Sequence, residues 1–141
     1  MAEGGCPLGW RPYMARVLLI DDCPDFGAWA RSTLESEGLE VIEARDALAG
    51  LQRAVEDRPD CVVVAGALPG LDGLDVAARI AEEPTTAGLP VLIACDPAEA
   101  TLRGVARAAG AQDLLPRTGR AADLTEPVRD ALWTAGVAWG A

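Results

Sequence analysis

The sequence predicts an α/β domain built on a doubly wound parallel sheet, and three observations carry that prediction. Short apolar runs alternate with segments of helical length along the whole chain. Two of the runs, "CVVVAG" (61 to 66) and "PVLIAC" (90 to 95), are apolar at successive positions, as in strands covered on both faces. Strands joined through helices must lie parallel, and right-handed crossovers then place helices on both sides of the sheet. For five strands the common order is 2-1-3-4-5, with a switch point between the first and the third.

The elements follow in order. "RVLLID" (16 to 21) and "LEVIEA" (39 to 44) are the first two strands, and between them Phe26, Trp29, Ala30, Thr33 and Leu34 recur at helical spacing before Gly38 supplies a stop. A second helix, from about Asp46 to Asp57, places Ala47, Leu51, Ala54 and Val55 on one face and ends before Pro59. After the third strand (61 to 66), a short helix begins near Gly73 with Leu74, Val76, Ala77 and Ile80, and Asp72 is placed to cap it. The fourth strand (90 to 95) is followed by "DPAE", in which Asp96 reads as an N-cap, Pro97 as the first helical residue and Glu99 as the third member of a capping box. "QDLLP" (112 to 116) is the fifth strand. The last helix carries Leu124, Val128, Ala131 and Leu132 on one face, with Asp123 and Glu126 box-like and Pro127 removing one early hydrogen bond. Residues 1–15 are expected to be an N-terminal extension, 16–135 the domain and 136–141 a tail.

Composition narrows the chemistry. A chain of 141 residues, 50% of them apolar, suits one domain with a full core. A net charge of −10 works against direct contact with nucleic acid or an anionic membrane. There is no histidine, which removes Ser-His-Asp and Cys-His nucleophile systems and imidazole metal sites. All 12 basic residues are arginine, so lysine Schiff-base chemistry is excluded too. Cys6, Cys23, Cys61 and Cys95 form no C-x-x-C pair and read as reduced thiols, with Cys61 in the core. The N-terminus lacks the apolar stretch of a signal peptide, and no segment approaches ~18 uninterrupted apolar residues, so a cytoplasmic location is expected.

Ligands of open α/β sheets gather beyond the carboxyl ends of the strands. There the first strand carries Asp21 and Asp22, while the third ends in Ala65, where a reactive group would be expected. Two adjacent carboxylates resist sharing a site unless a cation such as Mg²⁺ lies between them, although a solvated turn helped by Cys23-Pro24 is the plainer reading.

"RVLLIDD", "RPDCVVVAGALPGLDG", "LPVLIAC" and "AAGAQDLLPRT" resemble, in order and spacing, the successive signatures of response-regulator receiver domains, a flavodoxin-like family. The resemblance runs from about Arg16 to Ala135. It implies an aspartate ending strand three that takes a phosphoryl group, an acid pair that holds Mg²⁺, a Ser or Thr ending strand four, and an aromatic and a Lys on or after strand five. Carried over by position, Asp21 and Asp22 match the acid pair, and Ala65 stands at the phosphoacceptor position. Cys95 replaces the Ser/Thr, Leu114 the aromatic, Arg117 the lysine and Thr118 the proline after it.

An alanine methyl cannot attack phosphorus or ligate a metal. The resemblance therefore points to a degenerate, pseudo-receiver variant. The expected function is a non-enzymatic, phosphorylation-independent interaction module in bacterial two-component signalling, with no cofactor or at most weakly held Mg²⁺. Its expected partners are signalling or regulatory proteins that meet the helix 4/strand 5/helix 5 face or helix 1, and a homodimer is allowed. Three alternatives are phosphorylation of another aspartate, such as Asp22 or Asp72, a redox response of Cys23 and Cys95, and a small ligand at the vacated edge. Arg117 is expected to reach back to Asp22 or Asp21 and bridge them bidentately. Trp10, Tyr13, Trp133 and Trp139 are expected at the opposite edge, where they can pack together as a lid on both termini or serve as an association surface.

Overall fold

The computed structural model describes residues 15–96 and 103–136. Strands β1 (Arg16–Ile20), β2 (Glu40–Ala44), β3 (Cys61–Ala65), β4 (Val91–Cys95) and β5 (Asp113–Pro116) alternate with helices α1 (Pro24–Ser36), α2 (Ala47–Glu56), α3 (Gly73–Glu82), α4 (Arg103–Ala108) and α5 (Ala121–Thr134). Every pairing is parallel and the order is β2-β1-β3-β4-β5, as the sequence predicts.

Alternate residues of the strands feed two cores. Val17, Leu19 and Val63 face one side, where Ala30 and Leu34 of α1 meet Leu124, Val128 and Leu132 of α5. Leu18, Ile20, Val62 and Val64 face the other, against Ala47 and Ala54 of α2, Val76 and Ile80 of α3, and Ala106 of α4. β3 and β4 are buried at every position, because helices cover both their faces.

Local chemistry explains most boundaries. Gly38 follows α1 with a φ of 85°, a left-handed turn suited to glycine. Asp46 Oδ1 accepts the Ala49 N–H at 2.8 Å and starts α2. Asp72 and Asp75 exchange side-chain and backbone hydrogen bonds in a capping box at α3. The box expected over Asp96, Pro97 and Glu99 falls partly on residues outside those described.

Two expectations are corrected. α5 begins at Ala121 behind an Arg120 N-cap, so Asp123 is in the first turn and is no cap. Its carboxylate instead accepts the Thr118 hydroxyl at 2.6 Å. Pro127 lies in the second turn of the helix, where the bond it cannot donate is an early interior one. On α2 the buried residues are Ala47, Gly50 and Ala54, whereas Leu51 is half-buried and Val55 is 43% exposed. A Cβ at Gly50 would lie 2.4 Å from Ile20 Cδ1, so α2 rests against β1 through its smallest residues and its larger ones turn outward.

Trp133 is 81% exposed near the end of α5, so the described residues do not cover it. Trp10, Tyr13 and Trp139 lie outside the described residues. Among the described residues, no helix is long and apolar enough to cross a membrane.

The loop from β3 to α3 closes tightly. The Gly73 N–H donates to Gly66 O at 3.1 Å, and a Cβ on Gly73 would sit 2.6 Å from Ala65 O. Gly73→Ala is therefore expected to destabilise the protein by about 1–3 kcal/mol, the usual cost of forcing atoms into a packed site. Gly104→Ala meets nothing within 4 Å and lies inside α4, so it should be neutral or stabilise by up to about 1 kcal/mol. Urea denaturation of the two variants checks both outcomes.

Candidate functional site

Asp21 lies one residue past β1, where its N–H donates to Ala44 O at 3.0 Å and continues the β1–β2 pairing. Its side chain turns inward and is 2% exposed. Oδ1 accepts the Cys23 N–H at 2.8 Å, a local turn that bends the chain into α1, where Pro24 opens the helix. Oδ2 accepts from Arg117 Nη1 at 2.8 Å.

Arg117 arrives from the far edge of the sheet. Its own N–H donates to Cys95 O at 2.9 Å, which carries the β4–β5 pairing one step past Pro116. The guanidinium carbon stands 4.1 Å from the centroid of the Phe26 ring, and Phe26 in turn leans on Trp29 with 5.7 Å between ring centroids. The cation is thus held by a carboxylate on one side and by an aromatic face on another.

Ala65 closes β3 at 2% exposure, paired with Ala94 of β4. The β1–β3 register pairs Ile20 with Val64, and one residue further Ala65 stands alongside Asp21. The alanine offers that corner a methyl group. Cys95 and Leu114, both buried, help line an adjoining cavity of about 410 Å³ that also touches Gly66, Ile93, Asp96 and Arg117.

The structure therefore joins Asp21 and Arg117, as expected, but through one nitrogen and without Asp22. Asp22 is exposed, because neighbouring residues on an extended chain point opposite ways. Phe26 enters the site unforeseen. Its spacing within α1 marks it as a core residue, and nothing linear connects it to an arginine beyond β5. Thr118 binds back to Asp123 and takes no part in the Asp21 contact.

The described cysteines Cys23, Cys61 and Cys95 form no disulfide among the described residues. Burial, reinforced by the charge of Asp60, pushes the Cys61 thiol up to about 12, against a weaker opposing pull from a hydrogen bond with the Val62 backbone. The folded state thus favours the neutral thiol. That stabilisation is fully present below the ordinary value of 9.0 and is lost as pH rises from there through about 12. At pH 8 a thiol reagent should label the partly exposed Cys23 in the native protein and reach Cys61 only as fast as the chain unfolds, which labelling followed by peptide mass mapping measures.

Removing one member of a buried ion pair leaves its partner uncompensated. Arg117→Ala is expected to cost about 2–4 kcal/mol, below the full range for buried pairs because the guanidinium is 27% exposed. Arg117→Lys should recover part of that loss, since it restores a charge but not the planar contact with Phe26. Denaturant unfolding of the two variants, with an Asp21/Arg117 double-mutant cycle, tests this pairing.

A buried carboxylate at the switch point of a 2-1-3-4-5 sheet, met by a cation from beyond β5, defines the class as a receiver-type signalling domain. Residues 17–129 match the response regulator receiver domain family, and the chain belongs to it. It is 29% identical to the protein PilH of Pseudomonas aeruginosa over 104 residues, 74% of this chain and 86% of that one. It is 32% identical to the transcriptional regulatory protein CseB of Streptomyces coelicolor, covering 88% of this chain and 52% of CseB. Other relatives are longer still, and the chain spans 33% of the regulator RpaA of Synechocystis and 17% of PleD of Caulobacter vibrioides. Among solved structures, a response regulator receiver domain protein from Clostridium thermocellum superimposes with a TM-score of 0.79 at 26% identity, over 87% of this chain and 98% of that one.

Proposed function

We propose that this receiver domain acts without phosphorylation, as a protein-interaction module with its switch held in one state. The observation that carries the reading is Ala65 at the end of β3, beside a buried Asp21 already neutralised by Arg117. A phosphoryl acceptor needs an oxygen at that position, and a methyl group supplies none.

Mg²⁺ does not fit the corner. Both oxygens of Asp21 are engaged, one by the Cys23 N–H and one by a guanidinium whose charge opposes a divalent cation. Among the described residues, no group of three or more Cys, Asp or Glu is placed to hold a metal. Arg117 takes over the neutralising role, and the domain works without a cofactor.

The other aspartates are poorly placed to substitute. Asp72 spends its carboxylate on the Asp75 N–H at 2.9 Å, and Asp22 is exposed where Asp21 is buried. The partner is a signalling or regulatory protein that docks on α1 or on the α4/β5/α5 face, where Val105 is 53% exposed. On this reading the domain is no enzyme.

Treatment with acetyl phosphate and Mg²⁺ should leave the intact mass of the protein unchanged, because the position that ends β3, where phosphoryl transfer needs its acceptor oriented, carries only a methyl group. Ala65→Asp should raise Mg²⁺ affinity, while the original protein binds more weakly than ~1 mM, a free energy of about 4 kcal/mol. A gain of one phosphate on the original chain, mapped to any aspartate, would overturn the proposal.

A further inference from the structure

The surface between α2 and α3 is built differently from the rest of the helical coat. On α2 the sheet side is made of Ala47, Gly50 and Ala54, all buried. The larger apolar residues sit one position further round: Leu48 is 72% exposed, Leu51 half-buried and Val55 43% exposed. A helix shaped only by its own core would bury its largest apolar side chains and expose small or polar ones. Here Leu48 and Val55 break that order, while Leu51 keeps part of its side chain against the core. Positions 48, 51 and 55 form a stripe at helical spacing, about 10 Å long at the rise of an α-helix.

The stripe borders a groove. A cleft of about 340 Å³ runs between the two helices, with Ala54 and Ile80 at its base, Leu51 and Val55 on one wall, and Arg79 and Glu82 of α3 with Glu83 just past it on the other. Its polar end is already satisfied, because the buried Thr86 hydroxyl donates to Ile80 O at 2.8 Å. The far wall carries two glutamates against one arginine, and Glu56 adds another exposed carboxylate on the α2 flank. Arg53, the one arginine of α2, pairs with Asp57 at 3.1 Å, and the chain as a whole carries −10. An apolar strip with an acidic rim complements a helix with an apolar face and basic flanks.

We infer that the α2–α3 groove docks an amphipathic helix of a partner protein, apolar along one face and rich in Lys or Arg beside it. The groove lies apart from Ala65, Asp21 and Arg117, and from the faces named above for other partners. The inference therefore holds whether or not phosphorylation is absent.

The test uses the ¹⁵N-labelled chain of 141 residues and two synthetic helical peptides with the same leucine face, one flanked by lysines and one by glutamates. Backbone shifts on adding the lysine peptide should cluster at residues 48–55 and 79–86, and the glutamate peptide should bind at least tenfold more weakly. Glu82→Arg combined with Glu83→Arg should weaken the lysine peptide tenfold or more. Leu48→Glu combined with Val55→Glu should remove its binding while leaving the unfolding midpoint close to that of the original protein. That last pair makes the chain more acidic, so attraction by charge alone would instead grow stronger.

Equal or tighter binding by the Leu48/Val55 variant, or shifts spread over the acidic surface, would overturn the inference. So would self-association in sedimentation that the same variant abolishes, which would make a second copy the occupant. A peptide of residues 1–14 that displaces the lysine peptide and reproduces its shifts would assign the groove to the chain's own N-terminal segment.

Discussion

A parallel sheet covered on both faces leaves its central strands no place for polar side chains. β3 and β4 are buried from end to end, and the polar groups of the switch point collect just past the strand termini. The first such position after β1 belongs to Asp21, which is still almost sealed from water. A carboxylate there requires hydrogen bonds and a countercharge, because desolvating an isolated charge is costly. The Cys23 N–H and Arg117 meet that requirement, and in doing so they tie α1 and the end of β5 to the middle of the sheet.

The Arg117 contact links elements from opposite flanks. Asp21 follows the inner strand β1, Phe26 belongs to α1, and Arg117 follows the edge strand β5, anchored through Cys95 O. A receiver that switches needs this corner to adopt two arrangements of similar free energy. On the reading proposed above, the Ala65 methyl group and the Arg117 contact serve one condition, a corner whose charge is balanced internally.

The two sides of the sheet divide the work. One side, under α1 and α5, packs Leu34, Leu124 and Leu132 into a continuous core. On the other, α2 meets β1 through Gly50 and two alanines. That close approach sends Leu48 and Val55 outward, so the packing that holds α2 on the sheet also creates the apolar stripe on the surface.

By itself the sequence determined the alternation of strands and helices, the strand order and the residues at the carboxyl edge. The alternation and the edge residues are written in local patterns, in runs such as "CVVVAG", in the helical spacing of α1 and in the Asp72 cap, and the order is the common one for five such strands. The start of α5 escaped, because Asp123 has a capping residue type but is claimed by Thr118, a neighbour whose hydroxyl reaches it only once the turn has formed. The outward turn of Val55 escaped as well, since Ala54 and Val55 are both apolar and the close approach of Gly50 to Ile20 favours the smaller one towards the sheet. Likewise Asp21 and Asp22 are identical in type, and the geometry of the strand end selects which one meets Arg117. Only the tertiary structure could decide these points, because each depends on a distance between residues far apart in the chain or on a rotation that residue type leaves open.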